Sequence, residues 1–193
     1  MRLVKEIDGY KKIVPGLQKL GKEDRVFLTR QLILSDLYFL LRYGCKRKDV
    51  EHPFIFERCR DVQSDPYDIL NLWSRGHYKS TIITFAFVIQ RILQEHVAGR
   101  HYTVGIFSHT KAIASEFLKH IKREFESNEK LKDIFPDVLY ANPAKEAPVW
   151  SVRDGITVKR KGNPKEATVE AWGVTEGQPT GKHFTDLVFD DVV

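Results

Sequence analysis

The chain has 193 residues, 42% hydrophobic and 30% charged, a balance ordinary for a globular protein and sufficient for a real core. Its longest apolar run, residues 82–89, is broken by Thr84 and is too short to cross a bilayer, and the first residues are charged rather than signal-like, so neither a membrane span nor a secretory leader is expected. The net charge of +5 is concentrated in residues 1–50, where 12 Lys/Arg face 6 Asp/Glu; Lys46-Arg47-Lys48 is the densest point, a patch suited to a nucleic-acid backbone, to an acidic partner or to plain solvation.

Residues 1–22 are mixed, with Gly9, Pro15-Gly16 and Gly21, and read as short helical turns or a mobile arm. Residues 24–43 are rich in Leu, Ile, Phe and Tyr and read as one helix ending near Gly44. Pro53 opens a helix over residues 53–63, and Ser64-Asp65-Pro66 is a turn. Residues 68–73 are then expected as the first strand of an α/β sheet, and residues 79–97 as the helix behind it, ended by Ala98-Gly99.

A strand over residues 102–107 follows. Thr110 is the N-cap of a helix over 111–127, with a buried stripe read from Ile113, Phe117, Ile121 and Phe125. Residues 131–135 form a short turn stopped by Pro136. Residues 155–161 and 167–172 alternate as strands and are joined by Gly162-Asn163-Pro164-Lys165, a hairpin. Residues 173–183, with three glycines and Pro179, read as a flexible loop into the next strand. Cys45 and Cys59 have no metal spacing and read as buried thiols of a reducing compartment.

Two segments carry chemistry. Residues 70–81, Leu-Asn-Leu-Trp-Ser-Arg-Gly-His-Tyr-Lys-Ser-Thr, run from an apolar segment through a polar loop into Lys79-Ser80-Thr81 and an apolar helix. That order is how a P-loop holds a nucleoside triphosphate: backbone N–H groups face the phosphates, Lys79 reaches the β- and γ-phosphates and the Ser80 hydroxyl sits on Mg²⁺. The ordinary pattern has glycine where Trp73 and Tyr78 stand here, leaving only Gly76. The second segment, Leu187-Val188-Phe189, is a β-type run ending in Asp190-Asp191. A carboxylate at the end of a buried strand holds Mg²⁺ in P-loop enzymes, and the next acidic residue polarises water. Each segment has a plainer reading, a polar strand-to-helix turn and a strand followed by an acidic turn. Together they predict an α/β nucleotide-binding sheet.

Ser74-Arg75-Gly76-His77-Tyr78-Lys79-Ser80-Thr81 resembles the variant Walker A loop of tailed-bacteriophage terminase large subunits, which carry an arginine four residues before the lysine, as Arg75 stands here. Residues 187–191 are similar to that family's Walker B strand, and Gly177-Gln178-Pro179-Thr180-Gly181-Lys182-His183-Phe184 to the segment before it; the resemblance covers about residues 52–193. It implies a P-loop ATPase of the additional-strand, catalytic-glutamate type, a mostly parallel sheet flanked by helices with an inserted β-hairpin. Residues 1–50 would be a helical arm or subdomain and 51–193 the ATPase core, cut after the Walker B strand and without the family's nuclease domain. The implied activity is hydrolysis of ATP with Mg²⁺ to drive double-stranded DNA into a procapsid. The implied partners are the portal protein, the small terminase subunit and further copies in a ring, with no membrane, in the host cytoplasm and transiently at the portal.

By residue, the resemblance implies that Ser74, Arg75, Gly76, His77, Tyr78, Lys79, Ser80 and Thr81 bind nucleotide. Ser80 and Asp190 serve Mg²⁺, and Lys79, Arg75 and Asp191 act in catalysis. Asp191 stands where the family usually has glutamate, one methylene longer. Arg100, Arg153 and Arg160 are candidates for an arginine supplied to a neighbour's site. His183 is a candidate to face the site, Trp73 to report on it, and Trp150 and Trp172 to pack the hairpin. The hairpin cluster Lys159-Arg160-Lys161 with Lys165 is a candidate DNA contact. Other readings of the same residues are a helicase-like motor, a nucleotide-binding assembly module, and a two-metal nuclease using Asp190 and Asp191 with Asp154, Glu170 and Asp186.

Overall fold

The computed structural model describes residues 5–64, 70–162, 164–177 and 179–192. The chain divides into two compact units, Met1–Gln90 and Arg91–Val193.

The described part of the first unit is helical. A 3₁₀ turn (Ile7–Gly9) leads into α1 (Tyr10–Gln18), followed by α2 (Lys22–Ser35), α3 (Leu37–Phe39) with a π-helical turn Leu40–Gly44, and α4 (Pro53–Ser64). The expected single helix over 24–43 is therefore broken at Asp36. The backbone there is extended (φ −139°, ψ 103°), and the Asp36 carboxylate accepts the Phe39 N–H at 2.9 Å, capping the next turn. The break is fixed by burial. Asp36 also accepts the Tyr10 hydroxyl at 2.5 Å and Arg60 Nη2 at 2.8 Å, so a buried carboxylate, a phenol and a guanidinium satisfy one another. Around them Tyr10, Tyr38, Phe39, Tyr43 and Phe56 pack with ring centroids 5.2–6.2 Å apart. Gln90 Nε2 donates to the Ile33 carbonyl at 2.8 Å, which ties the helix following the candidate loop to α2.

The first strand expected over 68–73 begins at two residues outside the described ones, as do Asp65 and Pro66 of the preceding turn. Its remainder, 70–73, is not a strand, and Leu70 and Leu72 are 81% and 84% exposed. The described part of this unit holds no other strand, and a lone strand has no ladder to satisfy its backbone.

The second unit carries an α/β sheet flanked by helices, whose order is β2 (Trp150–Ser151), β3 (Gly155–Ile156), β4 (Val169–Gly173), β1 (Val104–Ser108), β5 (Asp186–Phe189). β1 is wholly buried and runs parallel to both β4 and β5. β2 and β3 pair antiparallel, and Ile156 faces Val169 across to β4, so the hairpin exists but its first arm is shorter than expected. Asn163 of its link lies outside the described residues. The boundary between the units falls within α5 (Val88–Val97), and α6 (Lys111–Ser127) packs on β1 and β4.

Thr110 caps α6 as expected, accepting the Ile113 N–H at 3.4 Å. The buried stripe is Ala114, Leu118, Ile121 and Phe125, and Ile113 is 40% exposed. The correction is geometric. A strict spacing of four drifts roughly 40° per step around a helix of 3.6 residues per turn, whereas alternating spacings of four and three stay on one face. α7 (Glu129–Ile134) stands where a short turn was expected, and α8 (Pro143–Glu146) precedes β2.

Candidate nucleotide site

The loop 74–78 belongs to the first unit. The backbone is left-handed at Gly76 (φ +81°) and at Tyr78 (φ +60°), and helical structure starts at Lys79. An added Cβ at Gly76 would meet nothing within 4 Å, so the glycine serves conformation rather than space. Tyr78 occupies the conformation for which the ordinary pattern uses glycine, at a cost of about 1 kcal/mol or more for a side chain in this region. Its carbonyl accepts the Ile82 N–H at 2.9 Å, an α-type bond that opens the helix before the π-helical segment Thr81–Phe87, which continues into α5. Left-handed residues in a turn aim successive amides toward one side, the geometry of anion-binding concavities, and the first-turn amides of the helix add to it.

The loop braces itself. The His77 N–H donates to the Ser74 carbonyl at 3.3 Å, and His77 Nδ1 faces the carbonyls of Ser74 and Arg75 at 3.1 and 3.2 Å. Two carbonyls are acceptors, so Nδ1 carries the proton and the ring serves to brace the loop. The imidazole also stands edge-on to Phe54 at 5.4 Å, and Arg58 lies over Phe54 and Trp73 at 5.5 and 6.0 Å.

A further contact has no signal in the sequence. Arg47 grips the Asp49 carboxylate with a fork of 2.8 and 2.6 Å, which together with a bond from the Tyr78 hydroxyl holds the Asp49 carboxyl below its ordinary acidity range. The densest basic turn, Lys46-Arg47-Lys48, is thus joined to the loop through Tyr78. Ser74, Arg75, Gly76 and His77 are exposed, whereas Tyr78, Lys79, Ser80 and Thr81 are half-buried.

The acidic pair belongs to the second unit, at the carboxyl ends of the parallel strands, where open α/β sheets bind ligands. Asp190 is 2% exposed and its N–H donates to the Phe107 carbonyl at 2.9 Å. Asp191 turns left-handed (φ +49°) and is exposed, and its carbonyl accepts the His109 N–H and the Ser108 hydroxyl, each at 3.0 Å. The glycine-rich approach is stitched to the same end. The Val174 N–H donates to the Ser108 carbonyl at 2.9 Å, the Thr175 hydroxyl to the His109 carbonyl at 2.8 Å, and the Lys111 N–H to Glu176 at 3.2 Å. A Cβ on Gly173 would stand 2.5 Å from the Lys111 nitrogen, so this approach requires glycine.

No protein-family model matches the chain. No curated protein and no solved structure matches it either.

The structure gives several of the other singled-out residues partners within their own unit. The His183 N–H donates to Glu166 at 3.0 Å and its carbonyl accepts from the Thr103 hydroxyl at 3.2 Å, which anchors it at the end of the strands opposite Asp190. In the hairpin cluster, Lys159 donates to the Pro136 carbonyl, Arg160 to the carbonyls of Glu166 and Pro164, and Lys165 to that of Gly181, all within 2.7–3.1 Å. These cations fasten loops of their own chain.

Among the arginines, Arg100 is ion-paired with Glu95 and Arg160 is engaged as above, while the Arg153 side chain is 89% exposed on the β2–β3 turn. Of the packing tryptophans, Trp150 Nε1 donates to Glu126 at 2.8 Å, and Lys111 stacks over Trp172 at 5.3 Å.

The carboxylates of a two-metal nuclease are engaged elsewhere. Glu170 binds Lys182 at 2.8 Å, Asp186 accepts the Tyr102 hydroxyl at 2.8 Å, and Asp154 bonds Ser151 at 3.0 Å. Among the described residues no three Asp, Glu, His or Cys side chains gather as a metal group. Magnesium at a phosphate site does not require one, because it keeps several waters and takes one or two protein oxygens beside the phosphates. In the first unit the Ser80 hydroxyl stands at a helix start, and in the second Asp190 ends a strand; each by itself is an oxygen donor of the kind magnesium takes.

Proposed function

We propose that this chain binds ATP with Mg²⁺ and hydrolyses it as the ATPase part of a viral DNA-packaging motor. The observation that carries the reading is the pair of left-handed residues, Gly76 and Tyr78, set directly before a helix that begins with Lys79 and Ser80. A phosphate chain needs that combination: amides turned to one side, a helix N-terminus, and a cation and a hydroxyl in its first turn.

In this reading the loop and first-turn amides other than that of His77 cradle the phosphates, and Lys79 neutralises charge on the β- and γ-phosphates. Arg75, on the exposed tip of the loop, contacts the γ-phosphate. Ser80 and Asp190 are the residues that would hold Mg²⁺, which would supply charge neutralisation at the phosphates. Asp191 orients and polarises the attacking water.

Double-stranded DNA is the proposed polyanion. Lys11, Lys12, Lys19, Lys22, Arg25, Lys46 and Lys48 are all exposed in the first unit, and a basic surface of this kind attracts phosphates in a salt-dependent way. A portal protein, a small terminase subunit and further copies in a ring complete the proposed assembly, in a host cytoplasm. No described helix is long and apolar enough to cross a membrane.

The test is tryptophan fluorescence during titration with ATP and Mg²⁺, since Trp73 borders the loop. Saturable quenching or enhancement in the wild type, absent in Lys79→Ala, supports the reading. A folded wild type that shows no saturable response, by fluorescence or by calorimetry, contradicts it.

A further inference from the structure

β1 reads Val-Gly-Ile-Phe-Ser, four residues suited to a buried central strand and then a hydroxyl that is 0% exposed. A buried hydroxyl requires a partner. The Ser108 Oγ donates to the Asp191 carbonyl at 3.0 Å, and the next residue, His109, gives that carbonyl a second donor, its N–H, also at 3.0 Å. The backbone bond continues the β1–β5 ladder, which Asp190 N–H to Phe107 C=O already extends beyond Phe189. The hydroxyl bond is additional to the ladder. It falls on the one residue of this strand end that leaves extended geometry for the left-handed region, at φ +49°. The Ser108 carbonyl meanwhile accepts the Val174 N–H at 2.9 Å, so the same residue also holds the exit of β4.

We infer that Ser108 is a positioning residue for Asp191: its hydroxyl holds the Asp191 backbone in the left-handed turn that sets where the carboxylate begins. The inference rests on the reading of Asp191 as the water-orienting carboxylate. Ser108 touches neither nucleotide nor water in this scheme. It acts through the Asp191 carbonyl, and its effect belongs to turnover rather than to binding.

Ser108→Ala removes the hydroxyl and one oxygen of volume, a small change inside a strand. The expected result is a fall in kcat for ATP of about tenfold, the scale of one hydrogen bond, with nucleotide affinity within about twofold of wild type. Hydrogen exchange at the His109 amide, the other donor to the Asp191 carbonyl, is expected to speed up by about tenfold in the variant. Ser108→Thr retains the donor and is expected to restore most of both. An active wild type whose kcat and His109 exchange are both unchanged in Ser108→Ala overturns the inference. So does a variant that loses nucleotide affinity and kcat together, which is the mark of a merely structural role. A wild type that binds nucleotide nowhere overturns the functional reading first, and the catalytic meaning of this contact with it.

Discussion

The Tyr78 hydroxyl hydrogen-bonds the Asp49 carboxylate, already held in a fork by Arg47, while the Tyr78 backbone keeps a left-handed φ of +60°. A loop that lacks the usual glycine here reaches the glycine conformation with a side chain fastened at its far end. The Asp49 side chain is 45% exposed, so solvent screens this bond and it steers the Tyr78 side chain rather than cancelling the backbone strain.

That relationship predicts how substitutions at 78 divide. Tyr78→Gly retains the left-handed turn and is expected to keep ATP affinity within about threefold. Tyr78→Val places a β-branched side chain in a region it tolerates poorly and is expected to weaken binding by about tenfold or more. Calorimetric titration of the two variants with ATP and Mg²⁺ decides it; equal affinity in both contradicts the role given to φ.

Asp36 predicts the stability of the first unit. Asp36→Ala removes the buried acceptor that the Tyr10 hydroxyl and Arg60 share, and removing one partner of such a group costs about 3 kcal/mol or more. Urea unfolding is expected to show that loss with an unchanged slope. A loss below about 1 kcal/mol would indicate that Arg60 finds another acceptor.

His96 predicts a pH dependence in the second unit. Burial holds its imidazole below the ordinary value of 6.5, and nearby Arg160 and His101 push the same way, against Glu95 and the bond to the Ile92 carbonyl at 2.9 Å. The native state therefore binds this proton less readily than the unfolded chain. The contribution is fully present above pH 6.5 and is lost as pH falls through the depressed native value. Unfolding free energy is expected to decline from about pH 6.5 downward, and His96→Gln is expected to flatten that part of the curve. Identical slopes in wild type and variant contradict the assignment.

Arg160 separates stapling from DNA contact. With Nη1 on the Glu166 carbonyl at 2.7 Å and Nη2 on the Pro164 carbonyl at 3.1 Å, Arg160→Ala is expected to lower stability by about 1–2 kcal/mol. Duplex DNA affinity is expected to stay unchanged across a salt series. A shallower salt dependence in the variant would return the residue to the DNA surface.

What the sequence made legible and what it hid follow one physical line. Short-range signals carried: Thr110 as a cap, Pro53 at a helix start, and β1 and the Asp190-Asp191 strand end each lie where local patterning put them. Long-range pairings did not. Asp36 interrupts a helix because Tyr10 and Arg60 lie beside it in space. The carbonyl partners of Lys159 and Lys165 lie in other loops, and neither they nor those of Arg160 carry a signal in the local basic run. Residues 70–73 alternate like a strand, yet the described first unit holds no ladder for them to join. In the candidate site, Lys79, Ser80 and the acidic pair were visible as motif, while Asp49, Arg47 and Ser108 were not. Asp49, which Arg47 holds, meets Tyr78, and Ser108 meets Asp191, each far away in the chain.

The most direct test of the central claim is the rate of phosphate release from ATP with Mg²⁺ by the full chain, with and without duplex DNA, compared with Lys79→Ala and Asp191→Asn. The proposal predicts measurable wild-type turnover, stimulated by duplex more than by single-stranded DNA, with both variants reduced by about a hundredfold or more. Wild-type turnover that both substitutions leave intact would contradict the assignment of this loop and this strand end to ATP hydrolysis.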